Sequence, residues 1–410
     1  MVDRFRVLHV STAQGYAGPL VKDGQHVSTY DLSTYQPEIR PDLGISLTMP
    51  PRAESWKTVP MLPAFQTFMP EGFLRDFIRD RFAKTLKIDD MALLALSGAN
   101  SIGRIKVATE RAPGEPAAAR GAESLKEILA DQGTRDLFAY LCEKYLVSTS
   151  IAGVQPKVVV PVTQGFDEPA RSTEKQSIGE RSTLHGRELI IKVDGPEYPG
   201  LSENEYHCLS IAKQCPTLLR VPAFQLSQDL RRLAIARFDM SDQHGTLGFE
   251  DMVALQGKVN DDKYEGSYEL VAAAIMRNCS PTLIQESLHR YFASIVLAVA
   301  LRNGDAHLKN FGLLYTDPST PDCALSPLFD QVCTTAFIAK DLMALTLAKS
   351  RHWPGRAALV KFGREHCDIS RPGEVIETVC DAVSSYRPAI EGPAWKPLRA
   401  ILEASIVSLR

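Results

Sequence analysis

The chain contains no CxxC pair. Its 8 cysteines stand apart along 410 residues, so spacing points to neither a zinc ribbon nor a redox dithiol. Reduced, buried thiols in a cytoplasmic protein are expected instead. The opening MVDRFRVLHV lacks the long apolar core of a secretory leader. The longest oily stretch, Tyr291 to Leu301, is too short for a bilayer, and no membrane association is expected. Neither sign of charge is in excess: 46 Lys and Arg against 49 Asp and Glu leave a formal net charge of −3. Such a total gives no reason to expect autonomous nucleic-acid binding. Internal repeats are absent as well.

What is present is an ordinary globular balance, 44% hydrophobic and 23% charged, in a chain long enough for two or three domains. Residues 1–110 read as a small α/β unit. FRVLHV is strand-like, and the segment from Glu71 puts Phe73, Leu74, Phe77, Ile78 and Phe82 on one helical face. RAPGEPAAARG (111–121) reads as a linker. Residues 111–240 form a strand-rich unit. SLKEILADQGTRDLFAYLCEKYL is helical, KVVVPV, ELIIKVDG and LRRLAIARFDM are strands, and 163–187 is a polar loop. From Gly245 to Arg410 the pattern turns helical, with SLHRYFASIVLAVALR as a buried core helix.

Chemistry concentrates in LRNGDAHLKNFGLLY (301–315), where Asp305, His307, Lys309 and Asn310 follow that apolar helix. FGLLY and ALSPLFDQV read as a hairpin around a Pro- and Asp-rich turn, which would return Asp330 beside Asn310. Two carboxylates and an amide oxygen then converge, a donor set that suits Mg²⁺. The spacing D-x-x-x-x-N matches a kinase catalytic loop, with Asp305 as base, although the usual flanks are replaced by NGD and FDQ. Lys192 lies on an apolar strand, where an ammonium needs a partner. Downstream, Ser202-x-x-Glu205 reads as a capping box, placing Glu203 and Glu205 at a helix start. STSIAGVQPK (148–157) offers small residues and backbone N–H groups ahead of a strand, but no Walker A pattern. Taken singly, Asp305 is a turn cap, His307 a loop hydrogen-bonder, Lys309 a solvated charge, Asp330 a strand-end cap, Lys192 a snorkelling lysine and Ser150 a loop hydroxyl. The ordered set, each member in the element it requires, argues for the kinase reading.

The segments STSIAGVQPKVVV, LIIKVD, LSENEYHCLSIA, IARFD, LRNGDAHLKNFGLLY and LSPLFDQV resemble the HipA family of serine/threonine kinases, the toxins of HipBA toxin–antitoxin pairs. FMPEGFLRDFIRDRF and LLALSGANSIGRIKV resemble its N-terminal domain. The resemblance implies an α+β, two-lobed protein-kinase-like fold with a small N-terminal α/β subdomain and a mainly helical C-terminal lobe. It implies ATP and Mg²⁺ as cofactors, Asp305 as catalytic base, Asn310 and Asp330 as metal ligands, and Lys192 as the phosphate lysine. It makes Ser150, Ile151, Ala152, Gly153, Val154, Gln155 and Lys157 the phosphate loop. Ala236 to Phe238 become the adenine hinge, with Ala236 where relatives often carry Glu, and His307 and Lys309 join the ATP site. Ser150 would be the inactivating autophosphorylation site, with Ser148 as an alternative acceptor. The implied partners are a helix-turn-helix antitoxin of HipB type, operator DNA mainly through that antitoxin, and a protein substrate, by analogy an aminoacyl-tRNA synthetase. Two rival readings stay open: a pseudokinase corepressor or scaffold, and a small-molecule kinase.

Overall fold

Leu8 and Val10 point inward along strand Val7–Thr12 while the residues between them are more exposed, the period-two pattern of a half-buried strand. This strand pairs antiparallel with Gly15–Asp23 and Lys106–Ala108. Thr29–Leu32 and Trp56–Thr58 complete a five-stranded sheet. Helices Gly72–Phe82 and Asp90–Ser97 add Leu74, Ile78, Met91 and Leu94 to its core. The expected helical face holds: Leu74 and Ile78 are buried, and Phe73, Phe77 and Phe82 pack against them. The computed structural model describes residues 5–24, 29–33, 40–50, 52–111, 121–131, 136–145, 149–150, 155–163, 165–166, 188–241 and 245–410. Most of the expected linker (112–120) and polar loop (167–187) lies outside the described residues.

A four-stranded antiparallel sheet follows, in the order Phe224–Leu226, Arg232–Ala236, Glu188–Val193, Lys157–Pro161. One face carries Val158, Val160, Leu189, Ile191, Ala234 and Ala236 into the same core as the N-terminal sheet and helices. The helical stretch ahead of this sheet forms two helices, Leu125–Ala130 and Leu137–Tyr145.

The C-terminal lobe is built on helix Ile284–Leu301, every residue of which is buried from Tyr291 onward. Helices Tyr268–Asn278, Arg356–Cys367, Pro372–Ser385 and Trp395–Val407 surround it. Helix Leu201–Ala212 joins the two lobes. Its Cys208, Ile211 and Ala212 enter the C-terminal core, and its Leu209 packs on Leu226, Leu233 and Ile235 of the sheet. All eight cysteines are free and buried. No helix among the described residues is long and apolar enough to cross a membrane.

Two local expectations are corrected. The segment from Gly245 begins with strands, Gly245–Thr246 and Gly248–Asp251, before any helix. Gly248–Asp251 pairs with Gly312–Tyr315, whose other edge receives only Ala324–Leu325. The second hairpin strand therefore stops well short of Asp330. Pro327 has no N–H for a ladder, and Asp330 itself takes a left-handed φ of 51°.

Candidate active site

Lys192 and Lys157 are direct cross-strand partners, and both are buried. Like charges facing each other across two strands are destabilising, so this register needs nearby anions. Two carboxylates meet the need. Glu205 lies 2.6 Å from the Lys192 ammonium; Asp330 touches Lys192 and lies 3.4 Å from Lys157. Burial alone would raise the Asp330 carboxyl, but the Lys157 and Lys192 charges hold it well below the usual carboxylate range. Burial opposes the Lys192 charge, yet Asp330 and Glu205 outweigh it and raise that ammonium. Burial lowers Lys157 and raises Glu205.

Glu205 is available to Lys192 because it caps nothing, which corrects the capping-box expectation. The Asp194 carboxylate takes the backbone N–H groups of Gly200 (2.7 Å) and Ser202 (2.8 Å) instead. Gly200 turns into the helix at φ 83°, a conformation glycine adopts at little cost. The Ser202 hydroxyl donates to the Arg231 carbonyl. The neighbouring Asn204 bonds both backbone groups of Cys333, accepting at 2.8 Å and donating at 3.3 Å. The helix bearing Glu205 is thus tied to the segment just after Asp330.

On the opposite side of a cleft of about 640 Å³, the long buried helix ends at Arg302 with φ 55°. The chain then turns through Asn303 and Gly304. A Cβ on Gly304 would meet the Asp341 carboxylate and lie 2.5 Å from the Leu342 backbone carbonyl, so a side chain here is strained. Asp305 follows, half-exposed, with one carboxylate oxygen 2.8 Å from the Tyr264 hydroxyl. The Asn310 amide nitrogen donates to the Asp305 carbonyl at 2.6 Å, which leaves the amide oxygen as its ligand atom. Gln155, Lys157, Lys192, Ala236, Phe238, Asp305, His307, Asn310 and Asp330 all line this one cleft.

Other candidate residues are placed differently from one another. His307 is buried, with its pKa lowered by that burial and, among the described residues, no hydrogen-bond partner at Nδ1. Ala236 pairs with Leu189 and gives its N–H to the Ala223 carbonyl. Phe238 packs on Phe249 and Phe329. Lys309 reaches the cleft wall, but its ammonium is taken up by protein: Gln66 carbonyl and Asn260 at 2.8 Å, Asp251 at 3.0 Å and Glu71 at 3.3 Å. These contacts clamp the N-terminal unit to the loop that carries Asp305. The Ser150 backbone pairs with Ser101 in a short parallel bridge. Ser148, Ile151, Ala152, Gly153 and Val154 lie outside the described residues.

Sequence reasoning passed over Glu71, Tyr264 and Asn204 as site residues. Glu71 sits at the start of a helix read only for its apolar face. Tyr264 lies in the polar run NDDKYEGS, where no spacing signals a role.

Among the described residues no group of three or more Asp, Glu, His or Cys could hold a metal on its own. The donor set is one part-exposed carboxylate and one amide oxygen, beside two buried ammonium groups. It fits a Mg²⁺ whose remaining ligands are phosphate oxygens and water.

The HipA-like C-terminal domain family matches residues 149–386, and the HipA N-terminal domain family matches residues 8–108. A Sinorhizobium fredii protein named "Putative kinase Y4dM" is 27% identical over 401 residues, 90% of this chain and 87% of its own length. A Haemophilus influenzae protein named "Putative kinase" is 29% identical over 229 residues, 52% of this chain and 61% of its own length. Among solved structures, the chain is similar to one from the Shewanella oneidensis MR-1 toxin–antitoxin complex of HipA, HipB and operator DNA. That likeness has a TM-score of 0.63 at 15% identity, over 98% of this chain and 96% of the other. It establishes a shared two-lobed fold.

Proposed function

The chain belongs to the HipA family, and from that premise we propose that it is an ATP- and Mg²⁺-dependent protein serine/threonine kinase, the toxin of a toxin–antitoxin pair. One observation carries the reading: the Lys192 ammonium is held by Glu205 and Asp330 in a cleft whose opposite wall presents Asp305 and Asn310.

Bound Mg²⁺-ATP would supply the phosphorus electrophile and its leaving group. Asn310 and Asp330 hold the metal through their oxygens. Lys192, oriented by Glu205, neutralises nucleotide phosphate with Lys157 beside it. The resemblance assigns the phosphate loop to residues 150–157, and the backbone from Ala236 to Phe238 meets adenine. His307, kept neutral by burial, supports the loop. Asp305 accepts the acceptor hydroxyl proton at a carboxylate oxygen, the role base catalysis requires. Phosphate on Ser150 would add nearly two negative charges beside a site built for phosphate and so switch transfer off.

The working partition is an N-terminal subdomain (1–110), a strand-rich lobe (111–240) and a helical lobe (241–410). The partners proposed are a HipB-type helix-turn-helix antitoxin, operator DNA mainly through it, and a protein acceptor of the aminoacyl-tRNA synthetase class, in the cytoplasm. The similarity to a chain of a HipA–HipB–operator complex supports the first two.

The test is intact mass after phosphatase treatment and incubation with ATP and Mg²⁺, for the parent and Asp305→Gln. One added phosphate on Ser150, absent in the variant, is expected. No gain in the parent would return the chain to a nucleotide-binding scaffold or a small-molecule kinase.

A further inference from the structure

Tyr264 reaches the reaction centre from a loop that carries no kinase motif. Its hydroxyl donates to Oδ1 of Asp305 at 2.8 Å. The same oxygen lies 3.8 Å from Nε2 of His307, and the Tyr264 ring meets the His307 ring edge-on at 5.0 Å. The residue is held from three directions. The preceding Lys263 carbonyl accepts the Leu308 N–H at 3.0 Å, the Lys263 ammonium bonds Glu71 at 3.1 Å, and the Arg351 guanidinium donates to the Tyr264 carbonyl at 2.6 Å. Oδ2 of Asp305 makes no hydrogen bond among the described residues, and the carboxylate is half-exposed to the cleft.

We propose that Tyr264 is a positioning residue for the phosphoryl-transfer base: its hydroxyl holds Oδ1 of Asp305 so that Oδ2 faces the acceptor hydroxyl. The proposal rests on the kinase reading above. A carboxylate turns freely about its last torsion, and that of Asp305, half-exposed, makes no other hydrogen bond among the described residues. With Oδ1 engaged, the plane of the group is set. The acceptor oxygen then forms its new bond to phosphorus as the bond to the ADP oxygen breaks, and the hydroxyl proton passes to Oδ2. Small misplacements of a reacting group cost up to about 100-fold in rate.

Tyr264→Phe keeps the ring against His307 and removes only the hydroxyl. The assay is the initial rate of phosphate transfer from Mg²⁺-ATP, using phosphatase-treated chain with its own serine and with dephosphorylated casein as acceptors. The phenylalanine variant should lose roughly 10- to 100-fold in kcat, no more than the lower end of the ~10²–10⁴ that a positioned base contributes in full. Its KM for ATP should stay within about twofold, and its melting temperature should match the parent. Tyr264→His, which retains a donor, should recover part of the rate. Parental kcat in Tyr264→Phe, with or without loss in Tyr264→Ala, would overturn the proposal and leave ring packing alone. A parent that binds ATP yet transfers to neither acceptor would overturn the kinase reading, and this proposal with it. Failure of the proposal alone shows instead as an active parent and an equally active phenylalanine variant.

Discussion

Lys309→Met separates two uses of a lysine that lies inside the catalytic-loop stretch. Methionine keeps the length and apolar stem and deletes the charge. In the structure that ammonium has four oxygen partners within 3.3 Å, none of them on the opposite lobe's phosphate-facing strands. Two partners are carboxylates. Glu71 keeps a second cation, Lys263, at 3.1 Å. Asp251, at 1% exposure, keeps only the N–H of Ala254, which it caps, among the described residues. Removing one partner of a buried ion pair costs about 3–5 kcal/mol because the other charge is stranded. The surviving Lys263–Glu71 pair puts this case near the lower figure. At a urea dependence of about 3 kcal/mol per molar, the unfolding midpoint should fall by about 1 M, followed by tryptophan fluorescence. ATP affinity, measured separately by titration on folded protein, should change less than about threefold. An unchanged midpoint with ATP binding weakened tenfold or more would refute the clamp and return Lys309 to the nucleotide.

Two further perturbations probe the same neighbourhood. Burial would raise the Glu71 carboxyl, but Lys309 and Lys263 outweigh it and hold it below its ordinary value of 4.5. Its contribution is therefore complete above about pH 4.5 and is lost as pH falls through the lower folded value. Stability measured against pH should decline there in the parent and more shallowly in Glu71→Gln; parallel curves would contradict the pairing. Gly304→Ala would place a methyl against the Asp341 carboxylate and 2.5 Å from the Leu342 backbone carbonyl. Overpacking of that kind costs about 1–3 kcal/mol, and because the strain falls beside Asp305 it should cut phosphate transfer at least about tenfold by the positioning argument. Transfer at more than half the parental rate would show that the turn relaxes freely.

Much of this architecture is legible locally. The strand under Lys192 is an apolar β-branched run, and the helix before Asp305 is oily on all sides from Tyr291 onward. Each declares its element without knowledge of its neighbours, and chain order alone sets Asp305 and Asn310 after the one and Lys192 within the other. What stayed hidden depends on partners distant in sequence. Lys309 looks like a cleft lysine until Gln66 and Glu71 are folded against it, more than two hundred residues away in the chain. The Ser202-x-x-Glu205 pattern is sound chemistry that lost a competition, because Asp194 arrives from the preceding turn with a carboxylate already aimed at the Ser202 amide that Glu205 would have taken. Gly248–Asp251 carries too little apolar or β-branched content to announce a strand; pairing with Gly312–Tyr315 imposes it.

The shared core of the N-terminal sheet and the first kinase sheet has a consequence for synthesis. Leu8, Val10, Phe65 and Leu94 are sealed in part by Val158, Ile191 and Ala236. The last of these is made about 128 residues after Ala108 closes the N-terminal sheet. At the ~5–20 residues per second of translation, that unit waits about 6–25 s with an apolar face uncovered. The nascent chain therefore needs its own kinase strands, or a chaperone in their place, before its first domain can finish folding.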